Sequence, residues 1–212
     1  MFVRDRDIRR TKKIPHDTIG AMQFVGQFTT RTYFLFALFI LSVFALALLL
    51  MGQVPWCKCG YVKFWHGVTF SSENSQHISD WYTFSHVIHG FGFYFLFWLV
   101  GRRWPLGARL LGAIFLESAW EIFENTDLVI NRYREVTISL DYYGDSVLNS
   151  VCDVLASIVG FFIAWRFPAW TTVSLLVLME VFVGYSIRDN LLLNIIMLIY
   201  PIDAVRVWQG GG

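Results

Sequence analysis

Residues 34–51 contain no charged side chain and follow directly on a segment that carries Arg4, Arg6, Arg9, Arg10, Lys12, Lys13 and Arg31. A run of about 20 apolar residues is the length at which a helix crosses the hydrocarbon of a bilayer while satisfying its own backbone polar groups. Four more runs repeat the pattern less purely. Residues 81–100 are uncharged but carry His86 and His89; residues 106–123 hold Glu117 and Glu121; residues 146–165 hold Asn149 and Asp153; residues 169–187 hold Glu180. Residues 190–202 are too few to span alone, but extension to Trp208 reaches a spanning length, with Pro201 bending the end. These runs predict an all-α, polytopic membrane helix bundle of six transmembrane helices, with five plus a re-entrant segment as the alternative. Composition agrees: 56% of the 212 residues are apolar and 16% are charged, against about 25% charged in a soluble domain. Disorder, a coiled coil and a disulfide scaffold are excluded. A net charge of +1 offers no nucleic acid a reason to bind.

The distribution of charge orients the chain. The positive-inside rule places the basic tail, residues 1–32, in the cytoplasm. Alternation through a transmembrane domain of residues 33–208 then puts Arg102, Arg103, Arg166 and a cytoplasmic C-terminus with Arg206 on the same side. Of the 17 Lys and Arg, Lys58, Lys63, Arg132, Arg134 and Arg188 fall on the outer side. Of the 16 carboxylates, Asp5, Asp7, Asp17 and Asp203 alone fall inside. The outer loops cover about residues 52–80 and 124–145, and residues 209–212 form a flexible end. The first apolar run reads as an uncleaved signal anchor, since no small-x-small site follows it.

The acidic residues within the apolar runs are expensive in lipid, about 2.5–3.5 kcal/mol each at the bilayer centre on insertion scales. Counting 1.5 Å per residue inward from Asp80, Glu124, Asp145 and Arg188 as surface markers sorts them into two depths. His86, Glu121 and Asn149 lie about 6–9 Å down, and His89, Glu117, Asp153 and Glu180 about 10–14 Å down. Spacings of three and four residues put Glu117, Glu121 and Glu124 on one helical stripe, Asp145, Asn149 and Asp153 on another, and His86 with His89 on a third. Stripes pointing inward would form a polar cavity in the outer half. One reading makes His86, Glu121, Asn149 and Asp145 the acid–base machinery, with His89, Glu117, Asp153 and Glu180 as ligands of a divalent metal that activates water. The plainer reading is helix-to-helix hydrogen bonding. Arg188, Asp189 and Asn190, at the outer end of the fifth run, are candidates for clamping an anionic head group; an interfacial ion pair is the alternative.

In the first outer loop, Cys57 and Cys59 flank Lys58, and His66 follows. In an oxidising compartment the two thiols could form a redox-active ring, bind metal with His66, or make a structural bridge. The second outer loop alternates charges with Tyr133, Tyr142 and Tyr143; a lid over the cavity and a belt of interfacial tyrosines are both open.

The stretches CKCGYVKFWHG, SSENSQHISDWYTFSHVIHG, ESAWEIFENT, INRYREVTISLDYYGDSVLNS and VGYSIRDNLLLN closely resemble uncharacterised protein family 0314, a domain-of-unknown-function family of alphaproteobacterial inner-membrane proteins. The resemblance covers about residues 52–209 and implies a multi-pass protein of the cell inner membrane. A fainter similarity is to VanZ-like membrane proteins, whose His, acidic and Asp-x-x-x-Asn pattern matches His86 or His89, Glu121, and Asp145 with Asn149. The functional expectations are three. The first is an enzyme, metal-dependent or acid–base, acting on a lipid or envelope substrate at the bilayer. The second is a proton- or cation-coupled transporter subunit. The third is a structural or assembly protein without catalysis. Transport would need polar positions that continue through the inner halves of the helices, and those offer almost none.

Overall fold

The computed structural model describes residues 28–136 and 141–210, so the basic tail up to residue 27 lies outside the described residues. The fold is all-helical, with eight helices and no strand among the described residues. The helices are α1 (Thr30–Leu50), α2 (Thr83–Val100), α3 (Leu106–Glu124), α4 (Asp127–Val136), α5 (Val147–Arg166), α6 (Ala169–Ile187), α7 (Leu191–Ile199) and α8 (Asp203–Gln209). Four of them, α1, α2, α5 and α6, are long and apolar enough to cross a membrane. Helix α3 matches them in length, carries Arg109, Glu117, Glu121 and Glu124, and packs among α1, α2 and α5.

The long helices start where the sequence supplies caps or breakers. Thr29 accepts the amide of Thr32 at 3.2 Å to open α1, and Ser146 accepts that of Asn149 at 3.1 Å to open α5. Pro105 and Pro168 precede α3 and α6, where a missing N–H costs nothing. Arg109 is buried without facing lipid: its guanidinium donates to the carbonyls of Trp104 and Arg102, both at 3.0 Å, closing the turn between α2 and α3.

Helices α2 and α5 make the tightest seam, and two glycines permit it. A Cβ on Gly160 would sit 2.0 Å from the Val87 carbonyl oxygen, and one on Gly90 would sit 2.0 Å from that of Ser157. Beneath this seam two apolar clusters fill the bundle: Phe44, Leu48, Ile114 and Val154, and Phe97, Ala113 and Phe161. Outward, Phe34, Phe39 and Leu50 of α1 and Trp170, Leu178 and Tyr185 of α6 are exposed. Apolar faces on this scale call for lipid rather than water, and the chain has the build of a membrane protein.

The expected sixth spanning helix does not form. Residues 190–208 divide into α7, nine residues or about 14 Å long, and α8, separated by Tyr200, Pro201 and Ile202. Proline lacks the amide that a continuous helix would need there. The end of α8 then returns to the end of α6, since Gln209 Nε2 donates to Asp189 Oδ1 at 3.1 Å and Arg188 Nη1 donates to the Trp208 carbonyl at 2.9 Å. The described C-terminal end therefore lies beside Arg188 rather than across the bundle from it, as the cytoplasmic placement required. A short hairpin, not a sixth long helix, follows the five long helices.

Candidate functional site

The first turns of α2 and α5 and the last turns of α3 meet at one end of the bundle, and their polar stripes converge. His86 Nδ1 lies 2.8 Å from Glu117 Oε1 and 3.2 Å from Glu121 Oε1. His89 Nδ1 lies 3.2 and 3.1 Å from the two oxygens of the same Glu117. On its other side, His86 Nε2 is 3.9 Å from Asp153 Oδ2, and Asp153 Oδ1 accepts the Thr83 hydroxyl at 3.2 Å. Glu117 and Glu121 are both 0% exposed. Each helix turns apolar one or two turns deeper along the same stripe: His89 gives way to Phe93 and Phe97, Glu117 to Ala113, and Asp153 through Ser157 to Phe161. The site therefore ends on an apolar floor.

Glu121 stands out because it is fully buried and neither carboxyl oxygen has a hydrogen-bond partner. A carboxyl group left that way costs several kcal/mol unless a proton or a cation compensates it. Nitrogens of His86 and His89 and an oxygen of Glu117 approach one another within 4.8 Å, and so do donor atoms of His86, Glu121 and Glu124. The two sets share His86. Imidazole nitrogens and carboxylate oxygens are a donor set suited to zinc and other divalent first-row metals.

Above this cluster opens a pocket of about 390 Å³, its mouth included, lined by residues that include His86, Asp153, Asn149, Asp145, Glu124 and three tyrosines, Tyr82, Tyr133 and Tyr142. Its walls include the two long loops, residues 52–80 and 124–145. Asn74 and Ser75 contribute from the first, which is pinned by Asn149 Nδ2 donating to the His77 carbonyl at 2.9 Å and by Ser146 Oγ donating to that of Gln76 at 3.2 Å. Tyr133, on α4, and Tyr142 contribute from the second. Tyr133 donates to Glu124 at 2.9 Å and Tyr142 to Asp145 at 3.0 Å. Burial, then the neighbouring Glu124 and Asp80, pushes Asp145 up to about 7. Burial also raises Asp80, against the opposing pull of the Tyr82, Ser75 and Thr83 contacts and the His86 charge. The Tyr133 and Tyr142 hydroxyls are raised by burial and by the carboxylates beside them.

His86, Glu121, Asp145 and Asn149, read from the sequence as acid–base residues, all lie at this end, as do His89, Glu117 and Asp153. Glu180 does not. Helical depth groups it with Glu117, but its two oxygens accept the amides of Leu191 at 3.2 Å and Leu192 at 3.0 Å, capping α7. Arg188, Asp189 and Asn190 do not line the pocket, and Asp189 supports it from behind by accepting the hydroxyl of the wall residue Tyr82 at 3.0 Å. Asn190 caps α7 through the Leu193 amide, and Asp189 ties together Tyr82, Asn194 and Gln209. Asp80 and Asp145, used as surface markers, are buried, which places the site deeper inside protein than counting along the helices suggests. Sequence reading misses Thr83, Asn125 and Tyr82. Asn125 bridges the Glu121 carbonyl at 3.0 Å and Asp145 Oδ2 at 3.2 Å, and its position one turn beyond Glu121 is the signal that could have found it.

Residues 48–211 match the family described as "Protein of unknown function (DUF2585)". The chain is 59% identical over 162 residues to a UPF0314 protein of Rhizobium etli, covering 76% of this chain and 83% of that one. It is 56% identical over 183 residues to a UPF0314 protein of Paracoccus denitrificans (86% and 95%), and 50% identical over 184 residues to one of Sphingopyxis alaskensis (86% and 97%). No solved structure matches the chain. With the matched region enclosing every helix that builds the pocket, the chain belongs to the DUF2585 family, whose alphaproteobacterial members are the UPF0314 proteins.

Proposed function

We propose that this protein is a multi-pass inner-membrane enzyme whose pocket faces the periplasm and acts on a lipid-linked or envelope substrate with the help of a divalent metal held by His86, His89 and Glu117. The observation that carries the metal is the convergence of donor atoms of His86, His89 and Glu117 within 4.8 Å of one another, beside the fully buried Glu121, whose oxygens accept no hydrogen bond and lie as near as 3.2 Å to His86 Nδ1. A divalent cation at this cluster would compensate Glu117 and Glu121 together and would acidify a bound water for attack. Glu124 and Asp153 flank His86 on the pocket side, where they can hold or pass a proton. The apolar floor at Phe97, Ala113 and Phe161 favours a closed site over a transport path, which would need polar groups beyond it.

A second reading uses the same residues without metal. Glu117 orients His86 through Nδ1 at 2.8 Å, leaving Nε2 toward the pocket as a general base. Elemental analysis of the detergent-purified full chain, before and after equilibration with zinc or manganese, separates the two. The metal reading expects about one divalent ion per chain, lost in Glu117→Gln and retained in Glu180→Gln. Wild-type protein that takes up no metal refutes it. Comparison of envelope lipids in a deletion strain complemented with wild type or His86→Gln tests catalysis itself: identical profiles in both would refute an enzyme of this class.

A further inference from the structure

Away from the pocket, the first outer loop gathers a second group of reactive side chains. Cys57 and Cys59 are joined by a disulfide across the single residue Lys58. A ring this small removes little freedom from the unfolded chain, so as a staple it contributes least among disulfides. Its surroundings suit chemistry better. One ring nitrogen of His77 and one carboxylate oxygen of Glu73 lie within 4.8 Å of both sulfurs. Glu73 accepts Lys63 Nζ at 2.6 Å, the Tyr61 hydroxyl at 2.8 Å and His77 Nε2 at 3.1 Å. Because His77 Nδ1 accepts the Lys63 backbone amide at 3.3 Å, the proton of the neutral ring sits on Nε2. A metal at Nε2 would demand a proton on Nδ1 and break that bond, so this cluster is poorly suited to holding an ion.

The two sulfurs differ. Cys57 is 2% exposed whereas Cys59 is partly accessible, and Cys57 Sγ already accepts the Cys59 backbone amide at 3.2 Å. An incoming thiolate reaches Cys59 and expels Cys57, whose developing charge that amide stabilises. We propose that Cys57–Cys59 is a redox-active couple that takes two electrons from a dithiol-bearing partner on the outer side. The partner's first thiolate forms a bond to Cys59 Sγ, the Cys57–Cys59 bond breaks, and its electron pair goes to Cys57 Sγ. The partner's second thiolate then attacks the mixed disulfide and leaves as the oxidised partner, with Cys59 released as thiolate. The two protons freed by the partner are taken up by the cysteine pair. The His77 ring, one nitrogen of which lies within 4.8 Å of both sulfurs, is positioned to deliver a proton to the departing thiolate as imidazolium, and Glu73 and the Lys63 backbone amide hold the ring in place.

The test uses the full chain in detergent with Cys152→Ser, so that the loop cysteines are the remaining thiols. Dithiothreitol serves as the dithiol probe and reduced glutathione as the monothiol probe, and new thiols are counted by mass-tagging after an acid quench. The expected result is that both thiols appear together within minutes at millimolar glutathione, and that His77→Gln slows the step about tenfold or more. Circular dichroism confirms that the variant is folded, and Glu73→Gln provides a second variant expected to slow exchange without removing the ring. Resistance of the disulfide to both probes until the protein is unfolded would overturn the proposal, as would tagging of both cysteines in air-oxidised protein. Equal rates in wild type, His77→Gln and Glu73→Gln would do the same.

Discussion

Replacing Gly160 by alanine tests how far the site depends on the seam between α2 and α5. The added methyl would lie 2.0 Å from the Val87 carbonyl oxygen and 2.9 Å from the Val87 carbonyl carbon. A carbon and an oxygen in contact need roughly 3.2 Å, so the two helices must separate by about 1 Å or more; the obstacle is backbone and cannot rotate away. Overpacking of this kind costs about 1–3 kcal/mol, and a gap of 0.5–1 Å forfeits a quarter to a half of the dispersion attraction along the opened seam. The upper end of that range, about 3 kcal/mol, corresponds to a fall of about 6–12 °C in Tm for a chain of this size. His86 and Asp153 sit on opposite sides of the seam, 3.9 Å apart, and would lose their approach. Thermal unfolding of the detergent-solubilised protein measures the effect. Gly92→Ala is the control, since a Cβ there meets nothing within 4 Å; it should leave Tm unchanged or slightly raised, alanine being the better helix former. Gly160→Ala melting with wild type, or Gly92→Ala falling as far, would refute the reasoning.

Asp145 should make stability fall as pH rises. Its carboxyl is raised to about 7 in the fold, against about 4 in an unfolded chain, so between those values the folded state holds a proton that the unfolded state has released. The contribution is present below pH 4, is lost progressively up to pH 7, and Asp145→Asn should flatten that part of the profile in a chemical-denaturation series. Glu180→Ala should cost about 1–2 kcal/mol, as an uncapped helix start usually does, while leaving metal uptake unaltered; loss of metal would reassign Glu180 to the site. Asp189→Ala removes the shared acceptor of Tyr82, Asn194 and Gln209 and should destabilise by at least about 3 kcal/mol. Limited proteolysis would then cut first near α8, and protection equal to wild type would argue against the tie.

Membrane character and the convergence of three polar stripes are legible in the sequence because both follow from local rules. An uncharged run of spanning length has few alternatives to a helix in lipid, and residues three and four apart must share a face. For that reason His86, His89, Glu117, Glu121 and Asp153 group together on spacing and depth alone. Glu180 satisfies the same count yet sits elsewhere, because depth along a helix says nothing about rotation around it. Its carboxylate turns toward the start of α7, a partner that exists only because the chain turns at Arg188 and Asn190 between α6 and α7.

Sequence periodicity alone thus determined that the long runs are helical and that their ionisable residues form stripes. Tertiary structure decided the rest: that Gly90 and Gly160 let α2 and α5 touch, that Glu117 serves two histidines, that the loops before α2 and before α5 wall the pocket, and that α8 returns to the end of α6. The physical reason is range. Hydrophobic period and helix geometry act over a few residues, whereas the contact between His86 and Glu117 spans thirty-one positions and is settled by how whole helices pack.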